Sequence, residues 1–417
     1  MSEDILLSDD FIRQLVSVGE VDLLVGIPSR NNCRTIGNVV RAAEESLLRN
    51  FRRQRTVLVN IDASSRDGTP EAVREASSLG ANGLQSLRTL RWVTTTTGGT
   101  QAESASLRTI LAAADLLHAK ACAVVSASTS SVSPAWIDSL LRPVFSENYD
   151  FVAPLYARHR YDGLLTRNLL YPLSRVLFGK PIRELRASEF AFSGRLASDC
   201  LNSAEWEREG IQSAAETWLT LTAMSDSYSC CQTFLGPKPR STSAGVVDVI
   251  RETVSGFFWC IESKESYWLP GRDPEPVTTV GLDHQLTSEA VRVDRKKMFQ
   301  LYRTGVAELS EILASILDVD THAELVRLAA LDETTFRFSN ALWVRTIYEF
   351  AAAYHHSVIN RGHLVQALIP IYRGRVHSFL TVHRSDDSEA MEADIEDLCQ
   401  EFGRQRSFFV ERWSTKG

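Results

Sequence analysis

The chain has 417 residues, 44% of them hydrophobic and 23% charged, with a formal net charge of -7. That length exceeds an ordinary single core, so two domains or one domain with a large extension are expected. An acidic balance without a dense Lys/Arg block leaves no electrostatic footprint for nucleic acid, and a polyanion partner is not expected.

The longest apolar stretches are broken by charge: Asp115, His118 and Lys120 interrupt the run from Ile110 to Ala123, far short of the ~20 apolar residues of a spanning helix. Met1 to Asp10 carries acids where a secretory signal carries bases, so a soluble, cytoplasmic protein is expected. The seven cysteines are an odd set without metal-ligand spacing, and Cys230-Cys231 is vicinal; reduced, mostly buried thiols are the expectation.

In chain order, Val21 to Gly26 reads as a short buried strand, followed by the loop Ile27-Pro28-Ser29-Arg30-Asn31-Asn32 and a helix from Thr35 to Arg49. Thr56 to Ile61 repeats the plan, with Asp62-Ala63-Ser64-Ser65-Arg66-Asp67-Gly68-Thr69 as the loop and Pro70 in the first helical turn. Leu90 to Thr94 is a third strand, residues 103 to 120 a third helix, and Ala121 to Val125 a fourth strand that leads into Ser126-Ala127-Ser128. Pro134-Ala135-Trp136-Ile137 opens the next helix. This alternation predicts a parallel sheet covered by helices on both faces, with ligands at the carboxyl ends of the strands.

A Pro-rich break, Pro270-Gly271-Arg272-Asp273-Pro274-Glu275-Pro276, precedes a change to long helical patterns. Trp343, Ile347, Phe350, Ala351 and Tyr354 share one helical face that reads as core, with Glu349 elsewhere on the wheel. Residues 1-20 are read as an N-terminal extension, 21-277 as the α/β domain and 278-417 as a helical C-terminal region.

With the loops placed, the chain resembles the GT-A glycosyltransferases, and among them the glucosylglycerate, glucosyl-3-phosphoglycerate and mannosylglycerate synthases. Gly26 to Asn32 looks like the first nucleotide-contacting loop of that family and Asp62 to Thr69 like the second. The likeness continues through Ser133 to Ile137, Ala153-Pro154-Leu155-Tyr156, Tyr161-Asp162-Gly163, Leu235-Gly236-Pro237-Lys238, Ala341 to Ala353 and Ile369 to Arg375. It implies a Rossmann-like nucleotide-diphospho-sugar transferase domain with a mainly helical C-terminal region.

The catalytic positions depart from that pattern. Family members carry Asp-x-Asp where this chain has Ser126-Ala127-Ser128. Carboxylates two apart on extended backbone share a side and can hold Mg²⁺ or Mn²⁺ against a diphosphate, whereas serine hydroxyls bring no charge. Where a metal-binding histidine follows a Leu-Gly-x-Lys-x stretch in the family, Leu235-Gly236-Pro237-Lys238-Pro239 is followed by Arg240, which cannot ligate a metal. The expectation is therefore no metal and no cofactor. The phosphate loop of the family corresponds to Gly98-Gly99-Thr100-Gln101-Ala102, without its lysine. The glycines of the acceptor loop are replaced in Arg183-Glu184-Leu185-Arg186-Ala187-Ser188-Glu189-Phe190.

Each candidate residue carries two readings. The resemblance makes Asp62 a base or ribose ligand and puts Pro28, Ser29, Ser126 and Ser128 at the nucleotide sugar; locally, Asp62 is equally an Asx-turn or capping residue, and Pro28 and Ser29 can simply shape the turn. Glu189 is the candidate acceptor-side acid, alternatively a solvated partner of Arg183 or Arg186; Glu216 stands at another acceptor-side position with the same ambiguity. Lys238 and Arg240 either hold the diphosphate in place of a metal or form an exposed basic turn.

Two functions follow. One is a non-catalytic homologue that keeps the fold as a binding or assembly subunit, with a UDP- or GDP-sugar, a second copy or another protein as partner. The other is a metal-independent transferase moving a hexosyl group from a nucleoside diphosphate sugar to a small hydroxy acid or other acceptor. The simultaneous departures favour the first.

Overall fold

The computed structural model describes residues 7-80, 90-96, 102-159, 161-238, 246-281, 294-383 and 388-415. The chain divides into two units. The first comprises Met1–Ala157, Ile182–Thr242 and Val277–Ser288; the second comprises Arg158–Pro181, Ser243–Pro276 and Glu289–Gly417. The division thus differs from a single boundary after residue 277. Two earlier segments, one with the helix Tyr171–Phe178 and one with Val246–Ser263, pack with the C-terminal helices instead.

The first unit is built on an eight-stranded sheet: β1 (Leu23–Ser29), β2 (Thr56–Asp62), β3 (Leu90–Thr96), β4 (Ala121–Val125), β5 (Phe151–Ala157), β6 (Glu189–Ser193), β7 (Cys230–Pro237) and β8 (Thr278–Val280). The order across the sheet is β3-β2-β1-β4-β6-β5-β7-β8, and only β6 runs antiparallel to its neighbours. The expected α/β layering is what this unit has. Helices α1 (Asp9–Val18), α2 (Ile36–Asn50), α3 (Thr69–Gly80), α4 (Ala102–Leu116) and α5 (Pro134–Glu147) connect or cover the first strands.

Burial explains the sidedness. Leu23, Val25 and Ile27 join Val39, Val40, Ile137 and Leu140 of α2 and α5 in one core, because alternate strand residues share a face. Gly26 points the other way: a Cβ there would sit 2.7 Å from Ile110 of α4, so that helix can approach only a bare backbone. The described residues before β1 include α1, which packs its apolar side inward. Ser8 caps α1 through Phe11 N at 3.3 Å, and Phe11 and Leu15 are buried.

Strands β1 and β2 run further than their apolar composition indicates, through Pro28-Ser29 and Asp62. Pairing carries them on, with Pro28 opposite Ile61 and Ser29 opposite Asp62. Proline fits because β4 pairs with β1 only as far as Gly26 opposite Val124, so no ladder donor is needed on that side. Helix α4 stops at Leu116, and His118 adopts a left-handed conformation with φ 48°.

The second unit is helical among the described residues, its longest helices being Val246–Ser263, Asn340–His356, Arg361–Val382 and Ser388–Arg404. Its core is aromatic: Tyr348 stacks on Phe409 with centroids 4.5 Å apart, and Trp268 also stacks on Phe409, at 5.1 Å. Helix Asn340–His356 is buried nearly all round, so Glu349, expected off the apolar face, is itself only 2% exposed. No helix among the described residues is long and apolar enough to cross a membrane.

Candidate functional site at the strand ends

The carboxyl ends of β1, β2 and β4 and the amino end of antiparallel β6 meet along one edge of the sheet. Two groups of polar side chains occupy it. The first laces the loops after β1 and β2 together, and the second surrounds Glu189.

In the first group Asp62 is buried, and its carboxylate accepts from Ser29 Oγ at 3.2 Å, Ser65 N at 2.9 Å and Ser65 Oγ at 2.6 Å. The Asx-turn geometry of Asp62 is thus present, and its oxygens already have donors. Asn60 lies beneath, donating to Ile27 O at 2.9 Å and to Ser29 Oγ at 3.0 Å. Further out, Asn31 N donates to Ser65 Oγ at 2.8 Å while Arg66 N donates to Asn31 Oδ1 at 2.9 Å. Asn32 N reaches Thr69 Oγ1 at 2.7 Å, and Cys33 N reaches Asp67 Oδ2 at 3.1 Å. Against a desolvation that would raise it, donation from Thr69 and Cys33 holds the Asp67 carboxyl at about 2.

The loop after β4 is tied to the same frame. Ala127 N donates to Pro28 O at 3.2 Å, and Thr35 Oγ1 donates to Ala127 O at 2.6 Å. Half-buried Ser126 and exposed Ser128 turn their hydroxyls toward each other, 2.8 Å apart. Two neutral hydroxyls satisfied by one another do not make a seat for a hard divalent ion, which wants anionic oxygens. Among the described residues no group of three or more His, Cys, Asp or Glu side chains could hold a metal.

Glu189 opens β6 opposite Val125 and is completely buried. Thr129 Oγ1 donates to Oε1 at 2.6 Å; Tyr156 OH donates to Oε2 at 2.5 Å and Lys238 Nζ to the same oxygen at 2.6 Å. The ammonium also lies 4.7 Å from the Tyr156 ring centre, and the Trp136 ring lies tilted against that of Tyr156 with centroids 5.9 Å apart. Neither reading of Glu189 as a solvated acid beside Arg183 or Arg186, nor of Lys238 as an exposed basic turn, matches this arrangement. The physical reason is pairing: a carboxylate at zero exposure needs a cation and two donors, and Lys238, 18% exposed, supplies the charge.

The residues expected on the acceptor side are more dispersed. Arg183 and Arg186 are half-buried on the segment before β6, with Arg183 N bonded to Gln232 Oε1 at 2.9 Å, and Glu216 is half-buried in the first turn of the helix Ala215–Ser225. Arg240 and the segment 97-101 lie outside the described residues.

Composition alone pointed to neither Thr129 nor Tyr156 as partners of Glu189. Thr129 is sixty positions away in sequence, and no local pattern marks the contact. Asn60 carried a usable signal, being a lone amide in the apolar run Thr56 to Ile61.

No protein-family model matches the chain, and no curated protein matches it. Among solved structures it is similar to the M. tuberculosis glucosyl-3-phosphoglycerate synthase, at 17% identity over 62% of this chain and 84% of that one, with a TM-score of 0.41. It is similar also to the mannosyl-3-phosphoglycerate synthase from Rubrobacter xylanophilus, at 16% identity over 62% and 79% of the two chains and a TM-score of 0.41.

Proposed function

We propose that the first unit is a GT-A-type nucleotide-sugar domain kept as a binding or assembly module, without hexosyl transfer. The observation that carries this reading is the closed Glu189 centre. The acid best placed to act on an acceptor is inaccessible to solvent, and its oxygens are engaged by Thr129, Tyr156 and Lys238. A general base must reach the proton it removes, and this one faces inward onto a cation. The paired hydroxyls of Ser126 and Ser128 beside it add support, since they offer nothing to neutralise a departing diphosphate.

A metal-independent transferase would need Lys238 at the leaving group. Its 2.6 Å ion pair with a buried carboxylate counts against that use, because withdrawing it strands the charge.

Calorimetric titration with UDP-glucose and GDP-mannose, with and without Mn²⁺, followed by a product assay with glycerate and 3-phosphoglycerate, tests the proposal. Nucleotide binding unaffected by Mn²⁺, without glycoside product, is the expected result. Mn²⁺-dependent turnover would overturn it.

A further inference from the structure

We infer that the strand-end edge of the first unit binds the diphosphate of a nucleoside diphosphate directly on Arg30, Arg34 and Arg66, with no metal between them. The nucleoside part of this ligand rests on the reading above; the anionic part rests on charge placement alone.

The loops after β1, β2 and β4 hold three arginines and one acid. That balance stands out on a chain whose formal net charge is -7. All three arginines are exposed, and none has a carboxylate partner among the described residues. The single acid, Asp67, is committed to Cys33 N and to the Thr69 amide and hydroxyl. Asp62, at the end of β2, is buried under Ser29 and Ser65. No acid lies in the first turn of α2 either.

The backbone amides at the start of the first loop are already engaged. The amides of Arg30, Asn31, Asn32 and Cys33 are already given to Asn32, Ser65, Thr69 and Asp67. The guanidinium groups are the cationic donors that these two loops present to a ligand. Guanidinium forks suit phosphate oxygens, and permanent charge there does for a diphosphate what a bound divalent ion does elsewhere. The loops that carry Arg30 and Arg66 are bonded to each other, so the charges are presented from one framework.

The test is calorimetry in EDTA with three probes, UDP, uridine and inorganic pyrophosphate, at low and high NaCl, on the natural chain and on Arg30→Ala/Arg34→Ala/Arg66→Ala. The three side chains are exposed and outside the loop hydrogen bonds, so the variant is expected to keep its thermal transition; Arg→Lys replacements serve as a second set. UDP should bind in EDTA, weaken with salt, and lose at least about tenfold in affinity in the alanine variant, with partial retention in the lysine set. Pyrophosphate binding lost in the variant, with UDP no tighter than pyrophosphate, supports the cationic site and sinks the nucleotide-sugar reading. UDP binding that needs Mn²⁺, or that is equal in the alanine variant, overturns the inference, as does the absence of binding by UDP and pyrophosphate alike.

Discussion

Lys238, the residue just after β7, places Nζ 2.6 Å from Oε2 of Glu189 at the start of β6, and holds a carboxylate that solvent does not reach. The pair joins β7 to β6 across β5, whose Tyr156 donates to the same carboxylate oxygen. Its energetics are those of mutual dependence: each partner is tolerable only while the other is present.

Removing one member should therefore be far worse than removing both. Lys238→Met alone is expected to destabilise the first unit by about 3 to 5 kcal/mol, whereas Glu189→Gln combined with Lys238→Met should fall within about 1 to 2 kcal/mol of the natural chain. Urea unfolding of the two single variants and the double variant measures the coupling, and simple additivity would refute the pairing.

Glu349 makes the second unit pH-sensitive. Burial pushes its carboxyl up to about 7, only partly offset by donation from Thr321 and the charge of Arg345. The folded value lies above the ordinary one, so the stabilisation of the protonated form is complete below about 4.5 and is lost as pH rises through about 7. Melting temperature should fall across that window, by the equivalent of roughly 2 to 3 kcal/mol, and Glu349→Gln should flatten the slope.

Asp67 acts on the loops instead of the core. Asp67→Asn weakens the contact that the Cys33 amide and Thr69 make with it. Faster hydrogen exchange at the Cys33 amide, with a loss of about 1 kcal/mol, is expected. An unchanged exchange rate would show that the lacing survives without its acid.

Two glycines give opposite expectations for the same substitution. A Cβ on Gly194 would lie 2.1 Å from the carbonyl oxygen of Ala119, backbone that cannot step aside, so Gly194→Ala should destabilise by about 2 kcal/mol or more. Gly403, in the helix Ser388–Arg404, has nothing within 4 Å of its Cβ position. Gly403→Ala should be neutral or stabilising by up to about 1 kcal/mol. Differential scanning calorimetry separates the two directions.

The alternating frame was legible because apolar runs such as Val21 to Gly26 and Ala121 to Val125 are short, buried and followed by turn residues. What periodicity could not supply was the reversed direction of β6 or the pairing of β8, since both depend on partners far away in the chain. The same limit hid the surroundings of Glu189. Its neighbours Arg183 and Arg186 suggested a surface ion pair, but burial brought Thr129, Tyr156 and Lys238 to it from other strands and loops. Glu349 was misplaced for a related reason: a wheel separates faces only when one of them meets water, and helix Asn340–His356 is enclosed by its own unit.

The reciprocal bonds between Asn31 and the Ser65-Arg66 pair have a kinetic corollary. Loops joined in this way have surrendered most of their freedom before any visitor arrives, so an anion landing on them has little ordering left to impose. Association should then proceed in one step, with an observed rate that rises linearly with ligand concentration and shows no plateau from a slow closing motion.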